Sequence, residues 1–198
     1  YGRGWMEGTG GNLSIRMDSS PLKILVTPTS VNKGYLQVED LLEVTDGQPF
    51  TTRLNAGNHR PSAETAIHLA IYRAVPQAGA VFHVHPVYAT VLSGKYGHPT
   101  ETRTFPVEWI EILKGIQFPE GSKAEFPIIA NWQKVEKVGE DLAAYLKKTA
   151  KPVPGFLIYN HGLTVWGKDV EEARNHLEVM EFVCKVLFRK NQLATHGC

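Results

Sequence analysis

Cysteine is nearly absent from this 198-residue chain: only Cys184 and Cys198 occur, and neither sits in a CxxC or zinc-finger spacing. A disulfide framework and a thiolate metal centre are therefore excluded, and a reducing, cytoplasmic compartment is expected. An excess of one charge is also missing. Lys+Arg total 21 and Asp+Glu 20, so the formal charge is +1 and nothing marks a footprint for nucleic acid or a membrane surface. No apolar run approaches the roughly 18 residues that a membrane span requires. The chain has no internal repeat, low-complexity tract or Pro/Gly-rich linker. It is expected to be one domain over residues 1–198. No signal-peptide pattern opens it, and it begins at Tyr1 without an initiator Met, so native N-terminal residues are expected to precede it.

Periodic patterning is abundant. "NLSIRM" (12–17) and "LKILVTP" (22–28) predict a hairpin, and "DLLEVTDGQPF" (40–50) a strand and turn. "SAETAIHLAIYRAVP" (62–76) predicts a helix with Ser62 as N-cap and Pro76 beyond its end. A strand over "AGAVFHVHP" (78–86) follows, then a helix from Pro86 to Leu92 and a loop over "KYGHPTETR" (95–103). "VEWIEILKG" (107–115) predicts a short helix closed by Gly115. "EFPIIAN" (125–131) predicts a strand and 132–149 an amphipathic helix. Two strands surround Asn160-His161-Gly162, and a long helix covers 169–193. Strands in hairpins alternate with strands joined by helices, which implies a mixed, largely antiparallel sheet covered by helices.

Two histidines stand in the "VFHVHP" strand. Side chains alternate along a strand, so His83 and His85 point the same way, roughly 6.5 Å apart. Both rings could converge on one ion, although two half-exposed surface histidines would show the same spacing. A catalytic zinc takes three protein ligands and leaves one position open. His161 in "YNHGLTVWG" is the third candidate; otherwise it is a turn residue tolerating an unusual backbone. His68 reads as a core or flank residue of its helix. His59, His98, His176 and His196 have no partner spacing and read as surface groups.

"GTGGNLSIR" (8–16), "VTPTS" (26–30), "PSAETAIH" (61–68), "VFHVHP" (81–86) and "YNHGLTVWG" (159–167) occur in that order. The set resembles the class II aldolase and epimerase family of zinc enzymes. The resemblance implies a three-layer α/β/α fold around the mixed sheet. It also implies one Zn2+ per chain on His83, His85 and His161, a sugar-phosphate substrate and a homotetramer. It further implies a phosphate site at Gly11, Asn12, Thr29, Ser30 and Ser62. Alone, the glycine turn could equally be structural; its N–H groups can form an anion nest. Ser62 at a helix N-terminus suits an anion independently. Ala63 departs from the second Ser of the sugar-phosphate aldolases. Lys33 either adds charge to this pocket or is simply solvated.

Two carboxylates compete as acid/base. Glu64 matches the aldolases' catalytic position, or merely complements its helix dipole. Glu111 lies among Trp109, Ile110, Ile112 and Leu113, where desolvation would raise its pKa; otherwise it is a surface charge. "EILKGI" (111–116), "EFPIIAN" and "PTSVNKG" (28–34) look like the methylthioribulose-1-phosphate dehydratases of methionine salvage. That likeness places the acid/base role on Glu111. Trp109, Ile110 and Phe105 are apolar candidates for the methylthio tail. The rivals are a sugar-phosphate aldolase or pentulose-phosphate 4-epimerase, and a non-catalytic scaffold that need not retain a metal triad. Iron or manganese could replace zinc on these imidazoles.

Overall fold

In the computed structural model of the chain, residues 1–48 and 59–195 are described. Pro49 and Phe50 of the predicted turn, together with His196 and Cys198, lie outside them. The strands are β1 (Asn12–Ser19), β2 (Leu22–Val26), β3 (Leu42–Thr45), β4 (Ala80–Val84), β5 (Arg103–Glu108), β6 (Lys123–Ile129), β7 (Gly155–Ile158) and β8 (Gly162–Gly167). The helices are α1 (Thr65–Ala74), α2 (Val87–Tyr96), α3 (Val135–Lys148) and α4 (Val170–Thr195). One sheet runs β3-β2-β1-β4-β8-β7-β6-β5. Only the β6–β7 pair is parallel among these strands.

Alternation across the sheet builds two cores. Ala80, Phe82, Val84, Leu163 and Val165 face α2 and α4, packing against Ala89, Leu92, Leu177 and Met180. Ile24, Val26, Val81, Phe156 and Ile158 face the other way, against Ile67 and Ile71 of α1 and Val138 and Leu142 of α3. The expected three-layer α/β/α architecture with a mixed, largely antiparallel sheet is therefore present. β4 lies at its centre and is buried along its whole length, so its even and odd residues feed different cores. His83 is in phase with Val81 and points toward the α1 layer.

Several expectations change on folding. The helix predicted over 107–115 is instead the end of β5 followed by a 3-10 helix, Glu111–Ile116, whose C-cap Gln117 is left-handed. Phe105 and Val107 are buried while their neighbours are exposed, the period of two that marks a half-covered strand. Pro106 is tolerated because β5 is an edge strand. The helix predicted to end at Leu92 continues to Tyr96, which shortens the loop before β5. α1 begins at Thr65, with Ser62 set one turn back: its Oγ accepts from Glu64 N–H at 3.2 Å. His176 is buried rather than a surface group, with Nδ1 at 2.7 Å from the Trp166 carbonyl oxygen.

Backbone contacts at the ends of the central strands leave no room for side chains. A Cβ on Gly79, just before β4, would run into the Lys168 carbonyl that follows β8. Gly79→Ala is expected to cost at least about 1–3 kcal/mol in urea unfolding, as overpacking does. Gly2→Ala, where nothing lies within 4 Å, should change little.

Candidate metal centre

Three adjacent segments of the sheet bring the site together at one end. β4 delivers His83 and, one residue beyond its end, His85; the turn between β7 and β8 delivers His161. β1 pairs with β4 so that Asn12 lies opposite His83, and β8 pairs on the other side with Leu163 opposite Val84. The positive φ in the turn falls on Asn160 (49°), so His161 is not the strained residue. Its carbonyl oxygen accepts a hydrogen bond from Thr90 Oγ1 of α2 at 3.0 Å. Close approach is allowed by glycine: a Cβ at Gly162 would collide with Val84 and His85, and one at Gly10 would sit 2.7 Å from His85 Nδ1.

The three Nε2 atoms face one another, His83 to His85 at 2.9 Å and His161 to His85 at 3.1 Å. Glu64 joins from the residue before α1, with Oε1 3.4 Å from His83 Nε2 and 3.1 Å from His161 Nε2. The four ligand atoms lie within 4.8 Å of one another. In the neutral form with the proton on Nδ1, imidazoles so disposed would aim their lone pairs at a common focus and repel each other. A cation at that focus satisfies them. Tetrahedral zinc ligands at about 2.0–2.1 Å from the ion hold their donor atoms roughly 3.3 Å apart, close to the spacings seen. The donor set suits a divalent metal.

The surroundings tune each ligand. Thr164 Oγ1 is 2.8 Å from His83 Nδ1; an Nδ1–H donating to it leaves the Nε2 lone pair aimed at the focus. Burial first, then the neighbouring His83 and His161, press His85 down to about 4, so its ring is neutral near neutral pH. Burial opposes ionisation of Glu64, but hydrogen bonds and charge from His161 and His83 outweigh it, holding the carboxyl well below the usual carboxylate range. Asn12 Nδ2 donates to Glu64 Oε2 at 2.6 Å, which orients the carboxylate. Behind this layer, His68 is wholly buried against Ser14 Oγ, 2.7 Å from its Nδ1, and Ser14 Oγ is 2.9 Å from Tyr72 Oη.

The predicted phosphate-binding residues converge only in part. Pro28 and Pro61 form a bridge, and Thr29 N–H donates to the Arg60 carbonyl at 2.9 Å, so "TPTS" and "PSAE" lie side by side. Gly11 has φ +72° and Ser30 φ 59°, the left-handed conformations of tight turns. Asn12 is buried against Glu64 rather than presented to solvent. Just after Ser62, the Thr65 and Ala66 N–H groups donate to the Ser62 and Ala63 carbonyls.

Glu111 is set apart from the cluster. Its side chain is 73% exposed and pairs with Lys114; the hydrogen bond and charge of Lys114 lower its pKa. The desolvated, raised carboxyl expected from its apolar neighbours is not there, because Leu113, and in part Ile110 and Ile112, turn to the core while Glu111 and Trp109 face out. Trp109 is 76% exposed, whereas Phe105 is buried in the core, stacked on Tyr96 at 5.1 Å, and cannot receive a ligand's tail.

Known proteins share this architecture. The pattern of the family described as Class II Aldolase and Adducin N-terminal domain matches residues 1–188. A methylthioribulose-1-phosphate dehydratase of Enterobacter sp. (strain 638) is 38% identical over 192 residues, covering 96% of this chain and 89% of that protein. A probable bifunctional methylthioribose-1-phosphate isomerase/methylthioribulose-1-phosphate dehydratase of Nocardia farcinica is 36% identical over 96% of this chain, which spans only 33% of that longer protein. Among solved structures, an L-fuculose-1-phosphate aldolase from Thermus thermophilus has the same fold: TM-score 0.72 at 23% identity, covering 98% of this chain and 90% of that one.

Two outcomes are expected. Thr164→Val should weaken divalent-metal affinity about 10–100-fold in chelator competition, since it frees the His83 ring. The second concerns acid. His68 and His85 are depressed from 6.5, to about 3 and about 4. The unfolded chain therefore takes up protons that the folded one refuses, and the associated stability is present above the unfolded value and lost as pH falls below it. Metal-free protein should lose about 1.4 kcal/mol per pH unit for each such histidine. His68→Gln should make that slope shallower by about one proton's worth in urea unfolding.

Proposed function

Because the chain belongs to the Class II Aldolase and Adducin N-terminal domain family, we propose that it is a metal-dependent hydro-lyase. Its substrate is 5-methylthioribulose 1-phosphate, and loss of water leaves 2,3-diketo-5-methylthiopentyl 1-phosphate, a step of methionine salvage. The observation that carries this reading is the cluster of His83, His85, His161 and Glu64, in a chain similar along most of its length to a methylthioribulose-1-phosphate dehydratase.

Zinc on the three histidines is the assignment we favour, and when bound it supplies Lewis acidity toward the substrate's carbonyl and neighbouring hydroxyl oxygens. The chain's own groups handle binding and protons. Gly11, Thr29, Ser30 and Ser62 form the rim of the phosphate end, with Asn12 buried behind them on Glu64. Glu111 is the acid/base: Lys114 keeps it ionised, so it starts as the base that takes the C3 proton, and it returns a proton to the departing C4 hydroxyl. Glu64, ionised and oriented by Asn12, balances the charge at the histidines. The reading includes a cytoplasmic homotetramer, in which assembly would have to bring Glu111, exposed with Trp109 on the single chain, to the site.

A second reading is favoured by one observation: Glu64, not Glu111, touches the histidines. Under it the chain is an aldolase or 4-epimerase for sugar phosphates, with Glu64 as acid/base. Turnover of 5-methylthioribulose 1-phosphate, L-fuculose 1-phosphate and L-ribulose 5-phosphate separates the two. For the dehydratase, only the methylthio sugar loses water, chelator abolishes the activity and zinc restores it. Glu111→Gln should then reduce kcat about 10²–10⁴-fold, the usual contribution of a general acid/base. Cleavage or epimerisation of the other sugars, with Glu111→Gln nearly intact, would instead establish the second reading.

A further inference from the structure

Lys33 is a buried charged residue that neither reaction scheme uses. It opens a short 3-10 helix, Lys33–Tyr35, after "PTSVN", and only 9% of the residue is exposed. Burial disfavours its charge, and the Glu64 carboxylate favours it. Its ammonium donates to the Thr9 carbonyl at 2.9 Å and to the Val31 carbonyl at 2.8 Å. Those two carbonyls belong to different loops. Thr9 precedes Gly10, which lies against His85, and Gly11, which leads into Asn12 and its bond to Glu64. Val31 follows Ser30 of the "TPTS" segment, which is itself bridged to Pro61 ahead of Ser62. One ammonium thus joins the glycine turn to the threonine-serine turn, with one of its three hydrogens beyond these two bonds.

We propose that Lys33 is a positioning residue of the phosphate subsite: it holds the glycine turn and the "TPTS" turn in register and supplies the positive charge that selects a phosphorylated substrate. The inference rests on the phosphate end described under the proposed function. Backbone N–H groups and hydroxyls are neutral donors, and a dianion among them gains most from a nearby fixed cation. A lysine with a merely structural role would hold the same two carbonyls without affecting anion affinity.

The test uses metal-loaded, full-chain protein and inorganic phosphate as the probe, read by calorimetry alongside metal content and thermal unfolding. Lys33→Met should weaken phosphate binding about 10–100-fold, the range of a charge-assisted hydrogen bond. Lys33→Arg should recover it to within about fivefold, since a guanidinium also pairs with phosphate. KM for the sugar phosphate should follow phosphate affinity while kcat moves less. Folded, metal-loaded Lys33→Met that binds phosphate like the wild type overturns the proposal, as does wild type that binds none. Should Lys33→Met not fold, the ammonium ¹⁵N signal of Lys33, identified by its absence in Lys33→Arg, is followed as phosphate is added. A shift supports the proposal, and an unmoved signal overturns it. Phosphate binding through Lys33 without turnover of the methylthio sugar would leave this inference standing and remove the dehydratase reading. Dehydration with phosphate affinity indifferent to Lys33 would do the reverse.

Discussion

Three imidazole nitrogens held about one hydrogen-bond length apart are costly to assemble, and much of the surrounding structure serves to hold them there. In the neutral form that can ligate a metal, and without an ion, their lone pairs oppose one another. The sheet resists that opposition by fixing His83 on a fully buried strand, with His85 one residue beyond its end. β4 is hydrogen-bonded on both sides, to β1 and β8, and packed on both faces, so the His83 ring has little freedom. His161 is less buried, yet its turn is tied to α2 through Thr90, and the Asn160 N–H donates to Ser93 Oγ at 3.0 Å. Glycines at 10 and 162 then let the backbone close around His85.

The electrostatics follow from the same packing. Burial keeps His85 neutral, which is the form that offers a lone pair. It works against Glu64, and the two histidines beside that carboxylate reverse the effect. Asn12 links this charge balance to the glycine turn, because the residue that opens β1 is also the one that orients Glu64. The histidine cluster, the carboxylate and the candidate anion loops are therefore one connected structure. A change in the "EGTGGN" turn would reach the histidines through backbone contact rather than through a long relay.

Glu111 belongs to a different mechanical unit. It stands on a 3-10 helix between the edge strand β5 and β6, at the far side of the sheet order from β1 and β2. Its proposed role depends on what is brought to that surface, whereas the role of Glu64 depends on contacts already within the chain. The two readings of the reaction thus differ in whether the decisive carboxylate is intrinsic to the cluster.

The two histidines of "VFHVHP" were legible as a pair because a strand's period of two is geometric, and their common face needs no knowledge of neighbours. The helices over 62–76, 132–149 and 169–193 were legible for a similar reason, from local periodicity and breakers. The region around 103–116 was not. Phe105 and Val107 carry a strand's alternation, but Trp109, Ile110, Ile112 and Leu113 read equally as a helix, and β6 settled the first part by pairing with it. His176 and Lys33 show the same limit: their burial depends on Trp166 and on the Thr9 and Val31 carbonyls, which are distant in sequence or belong to the backbone. By itself the sequence determined the ligand types, their spacing within one strand and the layered α/β character, because these follow from short-range periodicity. Only the tertiary structure decided that Glu64 meets the histidines, that Glu111 faces outward and that Lys33 is buried between two turns, because burial and charge are set by which remote segments the sheet order places together.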